Sequence, residues 1–429
     1  MTRILLVEPD FPIPPKSKNH KNFLPIGLLK IASYLRDEGH EVKLVRGTPT
    51  TIESTTDVIE FNPKEIWITS LFTYWSGYVR SAVQHYKRVF PRSKVIVGGI
   101  YASLRPRKEV MEYTGADDVV QGVLLEAEKR FPAYDLLINN GSKYGPVDYQ
   151  ILHSSRGCPR RCRFCGTWII EPEFVPKKSI KGEIRFRKIV FYDNNFFMNP
   201  HVKDILLELA ELKRDKKIEW CESQSGFDGR IMLKDPELAK MIRNAGFRYP
   251  RIAWDWKYSD YKGIKSQINL LLKAGYSSKD VSIFVLYNWD IPFEEMERKR
   301  VKCWNWKVQI SDCRYRPLDQ LFDNYDSKTR GQTSSEYYIH EKAGWTDELV
   351  KTFRQNVRRQ NICVREGLLY YSSTLERMNL SRTKSSKIRN LSYDEAKAHL
   401  DDIWNPARVT RVIGGLSTRS VQAATKRAT

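Results

Sequence analysis

Short apolar runs separated by stretches of helical period mark the first third of the chain. RILLVEP comes first, rich in branched residues; FLPIGLLKIASYLRDEGHEVKLV then reads as an amphipathic helix stopped at Gly39 and followed by a strand. Further runs at EIWITS (65–70), KVIVGG (94–99) and DVVQG (118–122) are spaced by helical segments such as GYVRSAVQHYKRVF. Strands alternating with helices predict an α/β fold with a doubly wound parallel sheet over residues 1–137. In such a sheet ligands lie beyond the carboxyl ends of the strands, where Pro9, Ser70, Gly98, Gly99 and Gly122 fall.

A loop-rich connector over 138–150 precedes a second alternating series. Its predicted strands are ILHSSRG (151–157), IRFRKIVFYD (184–193), IEWCESQSG (218–226), RIAWDW (251–256), SIFVLYN (282–288) and VQISDCRY (308–315). Helical patterns such as HVKDILLELAELKRD and DPELAKMIRNAG lie between them. Six strand and helix pairs fall short of an eight-stranded barrel, so a partial (β/α)6 barrel of TIM type is expected over 151–330, with its chemistry at the carboxyl ends of the strands. From residue 331 to 415 the pattern turns helical and basic, with WTDELVKTFRQNVRRQNICVREG and SYDEAKAHLDDIW as its helices. Residues 416–429 read as a flexible tail.

Composition changes this picture in two places. The net charge of +21 is distributed as +3 over 1–150, +11 over 151–330 and +7 over 331–429. Such a surplus favours a polyanionic partner, nucleic acid or another phosphorylated substrate. Seven cysteines, none before residue 158, do not make a disulfide framework and read as cytosolic thiols with local roles. No apolar stretch approaches the ~20 residues of a membrane span and no secretory leader is evident, so a cytoplasmic protein with no membrane partner is expected.

The chemistry concentrates in RGCPRRCRFCGTW (156–168). Cys158, Cys162 and Cys165 are spaced C-x3-C-x2-C on one tight loop, and soft sulfur selects zinc or an iron–sulfur cluster. Structural zinc wants four ligands, usually as two separated pairs, and no second pair follows at finger spacing. The spacing therefore favours a cluster with one iron left open to a substrate or cofactor. Gly157 and Gly166 allow close backbone approach, and the flanking arginines help hold thiolates.

CPRRCRFC resembles the cluster loop of the radical S-adenosylmethionine superfamily, including the aromatic Phe164 before the last cysteine. The resemblance implies a [4Fe-4S] cluster on Cys158, Cys162 and Cys165, with S-adenosylmethionine on the fourth coordination site and a reductive cleavage that yields a 5'-deoxyadenosyl radical. It also implies an electron donor such as flavodoxin or ferredoxin. FYDNNFFMNP resembles the segment ending the second barrel strand of that family, which makes Asp193, Asn194 and Asn195 candidates for the methionyl group. Phe164 and Gly166 join them as cofactor contacts, and Gln224 and Asp255, at the ends of the third and fourth strands, as candidates for the ribose or the substrate.

LPIGLLKIASYLRDEGHEVKLV, GGIYAS and VVQGVLLEAE are similar to the Rossmann-like cobalamin-binding domain that precedes the barrel in one branch of that family. The Asp-x-His-x-x-Gly signature that supplies a lower cobalt ligand is absent, so cobalamin is permitted by the resemblance rather than required by it. Cys221 and Cys313 fall in predicted barrel strands, where each is either a thiol facing the site or a small apolar filler. Cys303 and Cys363 read as packing. VRRQ and SRTKSSKIRN, with the aromatics of EYYIH and LLYYSS, suit phosphates and stacked bases. The expected function is a radical enzyme that modifies an unactivated carbon, by methylation with cobalamin or by rearrangement or hydrogen abstraction without it. The competing expectation is a non-enzymatic iron–sulfur or zinc nucleic-acid-binding protein whose cysteine loop is structural.

Overall fold

The computed structural model describes residues 1–13, 23–48, 52–138, 147–367 and 388. Strands β1 (Arg3–Glu8), β2 (Glu41–Arg46), β3 (Glu65–Ser70), β4 (Lys94–Gly99) and β5 (Asp118–Val119) form one parallel sheet in the order β2-β1-β3-β4-β5. The order reverses between β1 and β3, which leaves a crevice at the carboxyl edge. Ile4 to Glu8 are all buried, because helices cover both faces. Leu5, Val7, Ile66, Ile68, Val95 and Val97 pack against the helices Ser76–Val89 and Arg107–Thr114. Ile4, Leu6 and Leu44 meet helix Ile26–Asp37 through Leu28, Leu29, Ala32 and Leu35, a stripe at helical spacing. Gly99 lets β3 and β4 close at that edge: its φ is +94° and a Cβ there would stand 2.3 Å from the Ser70 carbonyl oxygen.

The second series opens with β6 (Gln150–Leu152), followed by an antiparallel pair, β7 (Ser155–Arg156) and β8 (Val175–Pro176), whose intervening chain is the cysteine loop. Then come β9 (Lys188–Phe191), β10 (Trp220–Ser223), β11 (Arg251–Ala253), β12 (Ser282–Tyr287) and β13 (Gln309–Arg314). They form two parallel arcs, β6-β9-β10 and β11-β12-β13, joined by single bridges at Cys221–Phe247 and Phe227–Ile252. Arg251 spans the seam, donating to the Ser223 carbonyl at 2.7 Å and to the Glu222 carboxylate at 2.6 Å. This is the six-stranded partial barrel that the alternation predicts.

Side-chain alternation sorts the barrel strands into two faces. Ile189, Phe191, Cys221, Ile252, Ile283, Val285 and Ile310 share a core with the helices Val202–Arg214, Glu237–Asn244, Tyr261–Lys273 and Phe293–Asn305. Ile151, Val190 and Trp220 point the other way and join the core of the N-terminal sheet, together with Tyr134, Leu136 and Tyr149. The two units are therefore fused by one apolar layer. Several strands are shorter than predicted. The strand expected from residue 184 begins at Lys188, because the Gln150 side chain accepts the backbone N–H groups of Arg185 and Phe186.

Helix Asp347–Glu366 shares the barrel core through Val350, Phe353 and Val357, so this part of the expected C-terminal domain packs as barrel wall. The segment before it crosses to the N-terminal sheet, where Ser76 Oγ donates to the Leu321 carbonyl at 2.7 Å and Arg316 lies over the Tyr74 ring at 4.1 Å. SYDEAKAHLDDIW, SRTKSSKIRN (apart from Ile388), LLYYSS and the expected tail lie outside the described residues. Among the described residues no helix is long and apolar enough to cross a membrane.

Candidate functional site

The cysteine loop is held at its entry, at its waist and at its exit. At the entry, Gly157 takes φ +75° and donates its N–H to Glu171 Oε2 at 2.6 Å. A Cβ on Gly157 would stand 2.1 Å from the Glu173 carbonyl oxygen. Gly157→Ala is therefore expected to cost more than about 1 kcal/mol and to lower iron uptake, read from thermal unfolding and iron content. At the waist, Cys165 N–H closes a turn on the Cys162 carbonyl at 3.0 Å, and Trp168 Nε1 donates to the same oxygen at 3.3 Å. At the exit, Gly166 precedes helix Thr167–Ile170, and a Cβ on it would lie 3.0 Å from Leu104, on the short helix Ile100–Leu104 of the N-terminal unit.

All three cysteines are partly exposed. Burial pushes the Cys158 and Cys162 thiols up, with the neighbouring thiols adding to it. A bound metal centre reverses that, since a coordinated thiol is deprotonated, so loading should release protons and fail in acid. Three soft sulfur donors on one loop suit an iron–sulfur cluster by their chemistry. Arg160 pairs with Asp228 at 2.7 Å, Arg230 holds the same carboxylate at 2.9 Å, and Arg163 pairs with Asp290 at 2.8 Å. These pairs pin the loop to the barrel rim. Phe164 packs at 5.9 Å from Trp256 and 6.1 Å from Trp289.

The three polar residues after β9 have different surroundings. Asp193 is fully buried and accepts four hydrogen bonds, from the backbone N–H and hydroxyl of Ser154 and of Ser155, at 2.5–3.0 Å. Burial pushes its carboxyl up and those donors pull it down. Its carboxylate fixes the turn that leads into the cysteine loop. Asn194 accepts from Thr167 Oγ1 at 3.2 Å, and that hydroxyl in turn accepts from Cys165 Sγ at 3.2 Å. Asn195 Nδ2 faces Asp228 at 3.4 Å, while its Oδ1 is buried with no donor. An acceptor without a donor beside the cluster loop fits an ammonium group.

Gln224 donates to Glu222 at 3.0 Å. Asp255 stands past the end of β11, near Cys162, with its carboxyl pushed up to about 6 by burial against the pull of Lys299 and Arg230. Lys299 is fully buried and donates to the Trp254 carbonyl at 3.0 Å and to the Trp256 carbonyl, which fixes the backbone on either side of Asp255.

One cavity of about 510 Å3 joins the two units. It runs between helix Ile26–Asp37 and the sheet residues Trp67 and Ile96, past Ser70, Gly98, Gly99 and Gly122, to Asn194, Gln224 and Ser225 on the barrel. Its walls are mostly apolar, in the manner of a small-molecule site. Thus Ser70, Gly98, Gly99 and Gly122 share a space with Asn194 and Gln224, while Pro9 does not line it. The cavity is apolar and lies at the switch point of the sheet, against the barrel mouth.

The two cysteines weighed for the barrel separate by one step of register. Cys221 lies on the helix-facing side, in the core, with its thiol pushed far up by burial, so it is a filler and not a site thiol. Cys313 pairs with Leu286 on the opposite face and is exposed. Cys303 and Cys363 are buried in helices. Of EYYIH, Tyr337 is buried in the barrel core and offers no stacking platform. Sequence reasoning missed Thr167 and Glu171, which lie in the loop itself, and Asp228 and Arg230, which come to it only through the fold.

Residues 20–134 match the model of the B12 binding domain, and residues 152–275 match that of the radical SAM superfamily. The uncharacterized methyltransferase PH0819 of Pyrococcus horikoshii is 23% identical over 278 residues, covering 52% of this chain and 58% of its own length. The chain thus spans little more than half of that relative. Among solved structures, the cobalamin-dependent S-adenosylmethionine radical enzyme OxsB, with aqua-cobalamin and S-adenosylmethionine bound, gives a TM-score of 0.41 at 15% identity over 84% of this chain and 56% of its own. A cobalamin-binding protein of Desulfitobacterium hafniense gives 0.22 at 19% identity over 29% and 54%. The superfamily implies a [4Fe-4S] cluster and S-adenosylmethionine as cofactors. A B12 binding domain match over residues 20–134 thus runs into a radical SAM superfamily match over residues 152–275, whose first barrel strand leads to the three-cysteine loop.

Proposed function

We propose that the protein is a cytoplasmic radical S-adenosylmethionine enzyme of transferase type that functionalises an unactivated carbon, methylating it with cobalamin bound in the shared cavity. The observation that carries this reading is the single cavity lined by the carboxyl edge of the N-terminal sheet and by the residues that follow the cysteine loop. The similarity to a Pyrococcus methyltransferase supports methylation over rearrangement. When bound, the reduced cluster cleaves the sulfonium of S-adenosylmethionine and the corrin carries a methyl group. The chain's own residues do the positioning. Cys158, Cys162 and Cys165 hold the cluster, Asn195 Oδ1 accepts from the methionyl ammonium, and Asp255 accepts from the ribose hydroxyls. Thr167 and Asn194 orient the loop toward the cavity. Phe164, Trp256 and Trp289 shield the loop from water, as radical chemistry requires.

An acidic flavodoxin or ferredoxin suits the exposed arginines of the loop as electron donor. The surplus of +21 supports a nucleic-acid or other phosphorylated substrate. Anaerobic reconstitution with iron and sulfide, then assay of 5'-deoxyadenosine with and without cobalamin, tests the reading. Release of 5'-deoxyadenosine that depends on a strong reductant is expected, together with co-purification of cobalamin. Intact S-adenosylmethionine over an iron-loaded, reduced protein would leave a structural iron–sulfur protein instead. A phosphate-driven complex with tRNA should weaken steeply between about 50 and 200 mM salt.

A further inference from the structure

The shared cavity is separated from a second one, of about 1180 Å3, by a wall of charged side chains. Lys30, Glu128, His153, Arg156 and Glu171 line both cavities. The wall is a continuous chain of opposite charges. Lys30 Nζ meets Glu128 Oε2 at 2.8 Å, Glu128 Oε2 lies 3.8 Å from Arg156 Nε, and Arg156 Nη2 donates to Glu171 Oε1 at 2.6 Å. Glu171 ends the run by accepting the Gly157 N–H with its other oxygen at 2.6 Å. A side branch leaves Arg156 Nη1 for His153 Nε2 at 2.8 Å. A guanidinium only donates, so Nε2 accepts and the ring proton resides on Nδ1.

Lys30 and Glu128 belong to the N-terminal unit, on helices that flank its sheet; His153, Arg156 and Glu171 belong to the barrel and its cysteine loop. The four charged side chains of the run are 9%, 20%, 24% and 13% exposed, so screening by water is weak. Charges buried to that degree hold only when paired, and removing one leaves its neighbours uncompensated. The run therefore stands or falls as a unit. Its far end is the backbone of Gly157, the residue directly before the first cysteine.

We infer that Lys30, Glu128, Arg156 and Glu171 are positioning residues for the cluster, a relay through which the N-terminal unit fixes the entry of the cysteine loop. The inference rests on the cluster reading given above. Groups behind the ligands set their orientation, and losing one typically costs about 10–100-fold in metal affinity. A residue more than a hundred positions along the chain from Gly157, in another domain, thereby governs cluster retention.

The test uses the full chain, reconstituted anaerobically, in Glu171→Gln, Glu128→Gln, Lys30→Met and Lys30→Arg variants. Lys203→Met is the control, since its pairs with Asp235 and Glu237 share no residue with the run. Iron content, the rate of iron loss to a chelator and the electron paramagnetic resonance spectrum of the reduced cluster are read alongside circular dichroism. Glu171→Gln, Glu128→Gln and Lys30→Met should lose iron about 10-fold faster and shift the signal, while Lys30→Arg and Lys203→Met match the wild type. If Lys30→Met does not fold, the isosteric Glu128→Gln decides. A folded Glu128→Gln with wild-type iron retention and spectrum would overturn the relay. A wild-type chain that takes up no iron would overturn the cluster reading, and the relay with it.

Discussion

Replacement of any one of Cys158, Cys162 and Cys165 by alanine should abolish cluster formation and reduce 5'-deoxyadenosine release to background. The loss should exceed the roughly 100-fold upper cost of removing an outer partner of a metal ligand, because a first ligand is gone. The three thiols share one loop, so each single variant should be as inactive as the triple one, as residues acting as a unit are not additive. Iron content and single-turnover product analysis give the readout. Each variant should keep the wild-type circular dichroism, since the loop contributes little to the core. A Cys162→Ala protein retaining a tenth of the wild-type cleavage would mean that the open iron lies elsewhere.

The second large effect is on stability. Arg300 and Glu297 are buried at 1% and 3% exposure on helix Phe293–Asn305 and meet at 2.7 Å. Arg300 Nη1 donates to Gln360 at 2.9 Å, Gln360 donates back to the Arg300 carbonyl at 3.1 Å, and Asn356 donates to Glu297 at 3.2 Å. This closed network ties helix Asp347–Glu366 to the barrel wall. Arg300→Ala leaves a buried carboxylate without its cation and is expected to cost about 3–5 kcal/mol. The joint change Glu297→Leu with Arg300→Met removes both charges and should cost far less. Urea unfolding of the two proteins measures the contrast. A loss under about 1 kcal/mol for Arg300→Ala would show that water reaches the pair.

What was legible in the sequence is what short-range pattern encodes. The strand and helix alternation gave both parallel sheets, because hydrophobic periodicity is local and crossovers leave few alternatives. The cysteine loop was legible because its three ligands lie within eight residues. The strand ends were harder to place: at Arg185 and Phe186 the ladder gives way to a side chain from Gln150, a tertiary event that periodicity does not carry. The two barrel cysteines show the same limit, since one step of register sends Cys221 under the helices and Cys313 to the open face.

The resemblance of FYDNNFFMNP to the family's second strand end makes Asp193 a candidate without showing its partners. Its four donors come from a neighbouring strand and turn, and nothing in FYDNN announces them. Lys30 and Glu128 are the extreme case. They are 98 positions apart, ordinary helix residues in sequence, and they become a pair only when helices Ile26–Asp37 and Leu125–Glu128 pack together. Charge pairs of this kind follow from tertiary packing, so pattern reading passes over them.

The central claim is that the loop of Cys158, Cys162 and Cys165 presents an iron with an open coordination position to S-adenosylmethionine. Electron paramagnetic resonance of the reduced, reconstituted protein, recorded before and after addition of S-adenosylmethionine, tests it most directly. The account predicts a [4Fe-4S] signal that shifts on addition and is absent from Cys162→Ala. A signal indifferent to S-adenosylmethionine, or stoichiometric zinc in place of iron, would contradict it.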